Sequence, residues 1–200
     1  MSAAQEEWIK MREQHKRLLR LVMTALLAAL VFCGSKLEII LPLSIGGNTR
    51  FHLGNIMCAL SGILLGPWWG GLAAGLGSAL YDCTSPLYIA EAPITFVTKG
   101  LYGLIAGLIF VAVFRRKATY PAMVVSTTGA AVSYMVIYLA KTFFYNSMFL
   151  GGMTASAAWG AVVLKVPSTL FNGGVAIVLA PLLAVAVMRA MRMAHVEQQL

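Results

Sequence analysis

The sequence predicts an all-α polytopic membrane protein, organised as a six-transmembrane-helix bundle. Three observations predict it. The chain is 60% hydrophobic and only 11% charged, with a mean hydropathy of +0.81, whereas a soluble domain carries roughly 25% charged residues. A 200-residue chain this apolar cannot hide its surface from water, so lipid is its solvent. Several apolar stretches approach the roughly 20 residues that a spanning helix needs, and they lack the alternation of a membrane barrel. Lastly, much of the basic excess behind the formal charge of +8 falls in three clusters. Lys10, Arg12, Lys16, Arg17 and Arg20 precede the first apolar run, Arg115, Arg116 and Lys117 sit together, and Arg189 and Arg192 follow the last run. Basic residues collect this way on the cytoplasmic side of a membrane, which argues against a nucleic-acid surface.

Each element follows in order. Residues 5–20 read as a charged cytoplasmic helix running into a first span at 18–34. Cys33 ends a basic-then-apolar stretch, but Phe32 before it is too bulky for a processing site, so the segment is expected to be kept as a helix. A polar loop at 35–52 follows, with Pro42, Gly46 and Gly47 and a β-like apolar stretch at 37–45; it is long for a turn. The second span is expected at 53–65 and the third at 72–83, joined by a tight Gly-Pro-Trp-Trp-Gly-Gly turn at 66–71. Both are short, so a re-entrant hairpin leaving four full spans is an open alternative. The fourth span runs over 94–114 to the basic turn, the fifth over 122–144, and a second outer loop covers 145–158. The sixth, at 159–188, is expected to bend near Pro167 and Pro181. An even number of spans places both termini on the basic side. The domain reading is a cytoplasmic N-terminal segment at 1–17, one membrane domain at 18–192 and a cytoplasmic tail at 193–200.

Ionisable groups inside a membrane are costly and usually face the bundle interior or a wet cavity. Here they fall on stripes in the outer half. Ser78, Asp82 and Ser85 share one face of the third span; Glu91, Thr95, Lys99 and Tyr102 share one of the fourth. Tyr134, Tyr138, Lys141 and Tyr145 form a stripe on the fifth, and Lys165, Ser168, Thr169 and Asn172 one on the sixth. A lone lysine can snorkel to headgroups and a lone tyrosine can belong to an interfacial belt. Four stripes at one depth favour a shared pocket. It would set Lys99, Lys141 and Lys165 against Asp82 and Glu91, with tyrosines to stack on a planar ring.

Small residues carry a second pattern. Gly71 and Gly75, and Gly103 and Gly107, are spaced for close helix packing within the bundle. Ala25 and Ala29 have the same spacing on the first span, and spacing alone does not choose between internal packing and docking to a partner. The three cysteines, Cys33, Cys58 and Cys83, have no metal-ligand spacing, and no phosphate loop, H-E-x-x-H or G-x-S-x-G motif occurs. The reading is therefore of a non-enzyme with no cofactor and no ATP site of its own.

Four stretches carry a family resemblance: Arg50-Phe51-His52-Leu53-Gly54-Asn55; Leu64 to Gly71, reading LLGPWWGG; Gly75 to Asp82, reading GLGSALYD; and Thr98 to Gly107, reading TKGLYGLIAG. Their order resembles the S components of energy-coupling factor (ECF) importers, the vitamin-capturing subunits of a class of prokaryotic ABC transporters, and most closely the riboflavin- and hydroxymethylpyrimidine-type group. The resemblance implies a six-helix bundle in the prokaryotic cytoplasmic membrane that binds a vitamin or precursor from outside, under the loop after the first helix. It implies a membrane coupling protein and two ATPases as partners, with Ala25 and Ala29 matching the small-residue motif that contacts the coupling protein. It adds Arg50, His52 and Asn55 to the candidate substrate-binding residues Asp82, Glu91, Lys99, Tyr134, Tyr138, Lys141, Lys165 and Asn172. The other reading is a self-sufficient secondary transporter. Such proteins usually show internal repeats and broken midplane helices, which this sequence does not display.

Overall fold

The computed structural model describes residues 3–45 and 48–194. The described residues form six α-helices and one β-hairpin, with short 3-10 and π-helical segments. Helix α1 (Ala3–Lys36) leads into strands β1 (Glu38–Pro42) and β2 (Asn48–His52), which pair antiparallel with Glu38 opposite His52 and Ile40 opposite Arg50. Then come α2 (Gly54–Leu65) and α3 (Pro67–Cys83), a 3-10 turn at Ile89–Glu91, and α4 (Ala92–Leu108), which continues as a π-helical turn at Ile109–Val113. Helix α5 (Tyr120–Lys141) likewise continues as a π-helical segment, Thr142–Leu150, before α6 (Ala155–Met193).

Local chemistry sets several of these boundaries. Gly66 ends α2 with φ +83° and launches α3, whose first residue is Pro67. A side chain would be strained at that φ, and proline suits a helix start because its missing N–H would have no partner there. The Thr154 hydroxyl accepts from the Ala157 N–H at the start of α6. Helix α6 runs unbroken through Pro167 and Pro181, a pattern that neighbouring helices and Ser/Thr side chains make tolerable in lipid.

Four segments are long and apolar enough to cross a membrane: Gln5–Lys36, Ile89–Val113, Tyr120–Leu150 and Ala155–Met193. Helix α2, with 12 residues, rises only about 18 Å, and α3, with 17, about 26 Å, against a hydrocarbon core of roughly 30 Å. The all-α membrane class holds, while length alone supports four full spans and two short helices. The charged N-terminal stretch runs into the first span as one helix, as its sequence reads. Other expectations shift. The expected outer loop at 145–158 is helical as far as Leu150 and again from Ala155, which leaves only residues 151–154 as a turn. Glu91 precedes α4 in the 3-10 turn, and Ser85 lies beyond the end of α3. The expected Gly46-Gly47 loop tip and most of the C-terminal tail lie outside the described residues.

The hairpin lies at the end of the bundle where α2 begins and α3 ends. The basic turn at 115–117 lies at the opposite end, where Arg116 approaches Gly66. Two apolar clusters fill the interior. One, containing Val31, Cys58, Ala74, Tyr102 and Ala176, sits nearer the hairpin; the other, containing Leu27, Ile63, Phe110 and Met123, sits nearer the basic end.

Candidate functional site

Strand β2 is the lid of a polar interior, and its alternation uses both faces. Thr49 and Phe51 turn toward α6: Thr49 Oγ1 is 2.5 Å from Ser168 Oγ, and the Phe51 ring meets Phe171 edge to face at 5.2 Å. Arg50 turns the other way, over the Tyr88 ring at 4.1 Å and the Tyr81 ring at 5.4 Å. Its Nη1 lies 3.0 Å from Asp82 Oδ1 and 4.0 Å from Glu38 Oε2. Tyr81 donates its hydroxyl to Glu38. Neither Asp82 oxygen has a well-directed hydrogen bond, so proximity of charge is what compensates this fully buried carboxylate.

Asn172 works as a clamp. The His52 N–H donates to its Oδ1 at 2.9 Å, and its Nδ2 donates to the Arg50 carbonyl at 2.9 Å. A side-chain amide on α6 thus takes the place of a strand neighbour along the free edge of β2. His52 is buried, and its Nδ1 accepts from the Gly54 N–H at 3.1 Å. Burial, reinforced by Lys99 and Arg50, holds its pKa well below the usual histidine range, so the ring is neutral at pH 7. Burial likewise raises the Glu38 carboxyl, opposed by Arg50 and Lys36, and pushes the Tyr88 hydroxyl up to about 12.

Beneath the lid, Arg50, His52, Asn55, Tyr134, Tyr138, Ser168, Thr169 and Asn172 line a small cavity of about 20 Å³. Tyr134 stacks on Tyr138 at 5.8 Å and meets Tyr102 edge to face at 5.3 Å. An open, mainly apolar groove of about 540 Å³ is lined by residues 36–39 of the hairpin's start, Phe51, Leu53 and Phe171, and His52 borders both spaces.

The remaining candidates flank the cavity. Lys99 is buried behind it, donating to Asn55 with its ammonium 4.3 Å from the Tyr134 ring centroid. Lys141 pairs with Glu91 at 2.5 Å, and Asn146 donates to the other Glu91 oxygen at 2.8 Å. Asp82, expected opposite a lysine, faces Arg50 instead, because the hairpin folds back over the end of α3. Lys165 is buried one turn from Ser168 and Thr169, whose hydroxyls both donate to its carbonyl. Glu38 and Tyr88 join the polar network without having been singled out. The usable signal for Glu38 was a lone charge in the apolar stretch at 37–45; Tyr88 had no such mark. Ala25 and Ala29 are exposed on the outer face of α1, so they are not internal packing residues of this chain. Among the described residues no group of histidine, cysteine and carboxylate side chains could hold a metal.

A multi-pass helical membrane protein with a lidded polar chamber has the form of a binding subunit. The chain belongs to the ECF-type riboflavin transporter S component family, whose model matches residues 16–189. A search of curated proteins found no match. The family makes this chain a transporter subunit of the multi-pass prokaryotic membrane class and a substrate-binding component of an ECF system.

Proposed function

We propose that this chain captures a small vitamin or vitamin precursor with a planar polar ring, and that the ligand occupies the chamber under β1–β2. The carrying observation is the small, polar and tyrosine-lined cavity beneath β2. At about 20 Å³ it holds little more than one water, while ligand sites run to roughly 300–1,000 Å³. Loading therefore needs the hairpin to swing away and the polar contacts beneath it to open. The family's name makes riboflavin the first ligand to test. The tyrosines would stack on its ring, and Asn55, Ser168 and Thr169 supply donors and acceptors for its edge.

The same reading places both termini and the Arg115–Lys117 turn in the cytoplasm, with the hairpin outside. Ala25 and Ala29 would form the flat strip on α1 against which a membrane coupling protein packs, itself driven by two ATPases. Fluorescence titration of the purified subunit tests the capture step: riboflavin emission should be quenched with saturable binding. In liposomes the chain alone should not accumulate the ligand even with an ion gradient. Gradient-driven uptake by the single chain would favour the secondary-transporter reading. Bulky replacements of Ala25 and Ala29 should leave binding intact and stop transport by the assembled complex; equal loss of both would refute the docking role.

A further inference from the structure

Lys165 is the charge that the chamber leaves over. The polar interior holds Arg50, Lys99, Lys141 and Lys165 against the carboxylates of Glu38, Asp82 and Glu91. Arg50 lies against Asp82 and Glu38, Lys141 holds Glu91, and Lys99 donates to Asn55. Among the described residues nothing lies within hydrogen-bond or ion-pair distance of the Lys165 ammonium. Its nearest electrostatic influences are attraction by Glu91 and repulsion by Lys141 and Arg50, and Glu91 is already engaged on both oxygens.

The ordinary explanation for an intramembrane lysine does not fit. Snorkelling needs a path to the headgroups along the lipid face, and Lys165 is only 4% exposed. It lies on the inward stripe of α6 with Ser168, Thr169 and Asn172, all of which line the cavity. A helical side chain leans toward the start of its helix, so the ammonium lies on the side of the cavity nearer residue 155. Lys141 and Glu91, paired with each other, are the charges that act on it from α5 and the turn before α4. A lysine buried in the bundle with no partner for its charge is costly unless water or an anion meets it.

We propose that the ligand carries an anionic group, a phosphate or a carboxylate, and that Lys165 receives it while the planar ring lies against Tyr134 and Tyr138. This rests on the capture reading above and narrows it: the best ligand is a charged derivative of the ring compound. Lys141 adds a second positive charge nearby, and Glu91 keeps the subsite selective for a single compact anion.

The test uses the purified full-length subunit and three probes: riboflavin, riboflavin 5′-phosphate, and a flavin with a carboxymethyl group at N10. A charge-assisted hydrogen bond to a buried cation should make at least one anionic flavin bind roughly ten- to a hundredfold more tightly than riboflavin. The better of the two distinguishes phosphate from carboxylate. Lys165→Met should erase that preference, and Lys165→Arg should keep most of it. Riboflavin binding with no gain from either anionic group overturns this inference and leaves the proposed function standing. So does a preference that persists in Lys165→Met. Binding of none of the three overturns the flavin reading, and this inference with it.

Discussion

Toward the hairpin, α3, α5, α6 and β2 meet through ion pairs, amides and stacked rings; toward the basic turn, α2, α3 and α4 meet through bare backbone. A Cβ added to Gly103 would lie 2.7 Å from the Gly70 carbonyl oxygen, and one on Gly107 would lie 2.6 Å from the Gly66 carbonyl carbon. One on Gly62 would overlap the Gly103 carbonyl. In lipid there is no hydrophobic force between helices, so close contact of small residues must hold them together. The glycine half has nothing to exchange with a ligand. The hairpin half is held by polar contacts that a polar ligand can replace one for one. That difference assigns opening to one end and rigidity to the other.

The largest effect expected from breaking this division is at Arg50. Arg50→Met removes the charge that faces fully buried Asp82. Leaving one member of a buried pair uncompensated costs roughly 3–5 kcal/mol. Thermal unfolding in detergent should show it, together with loss of ligand capture. The double variant Arg50→Met, Asp82→Asn should recover part of the stability, because the fully buried charge of Asp82 is then gone and only Glu38, which accepts from Tyr81, is left without the arginine. No recovery would mean that Arg50 acts only through its stem and its packing on the Tyr81 and Tyr88 rings.

The rigid half gives the next effect. Gly103→Ala forces a methyl group against backbone that has no room to move and should cost about 1–3 kcal/mol. Gly174→Ala is the control, because nothing lies within 4 Å of the added carbon, and it should cost nothing or stabilise slightly. Ligand affinity of the folded fraction should be unchanged in both. Equal stability of the two variants would remove the claim that close backbone contact holds α2, α3 and α4.

These two halves were unequally legible in the sequence. The glycine spacings on α3 and α4 and the middles of the four stripes follow from helical period alone, whereas Ser85, Glu91 and Tyr145 fall outside the α-helices that would have carried them. Partner choice did not follow. Nothing local says that Asp82 meets Arg50 rather than a lysine, because that contact depends on how a hairpin some thirty residues upstream folds back. Asn172 lay on a stripe, but its role as a clamp depends on the free edge of β2, which exists only once the strands pair. The hairpin showed only as a β-like apolar stretch, and the helical continuation to Leu150 was hidden by residues that read equally well as a loop.

A smaller effect sharpens the chamber itself. Tyr138 stacks on Tyr134 and lines the cavity. Tyr138→Phe keeps the ring and should change flavin affinity little, whereas Tyr138→Ala should cost about 0.5–1.5 kcal/mol beyond the buried area lost. Titration of the purified subunit separates them. If Phe is as poor as Ala, the hydroxyl rather than the ring carries the contact.

The smallest effect concerns protons, and it should appear only at the hairpin end. His52 is neutral when folded because burial, then Lys99 and Arg50, hold its pKa well below 6.5. The unfolded chain takes up a proton near pH 6.5, so folding becomes less favourable as pH falls through that value and is unaffected above it. With the folded ring still neutral, the loss is roughly 0.8 kcal/mol at pH 6. Glu38 acts in the opposite sense: its raised pKa contributes stability at low pH that is lost as pH rises from about 4.5. A variant that keeps Glu38 and removes only the imidazole isolates the histidine. His52→Asn does so, because an asparagine carbonyl can accept from the N–H two residues on, as His52 Nδ1 does from Gly54. Wild type should lose thermal stability relative to His52→Asn between pH 7 and pH 6, and the two should run parallel from pH 7 to pH 8. Parallel curves across the whole range would mean that His52 is protonated as readily in the folded protein as in the unfolded chain, and that the lid leaves it open to water.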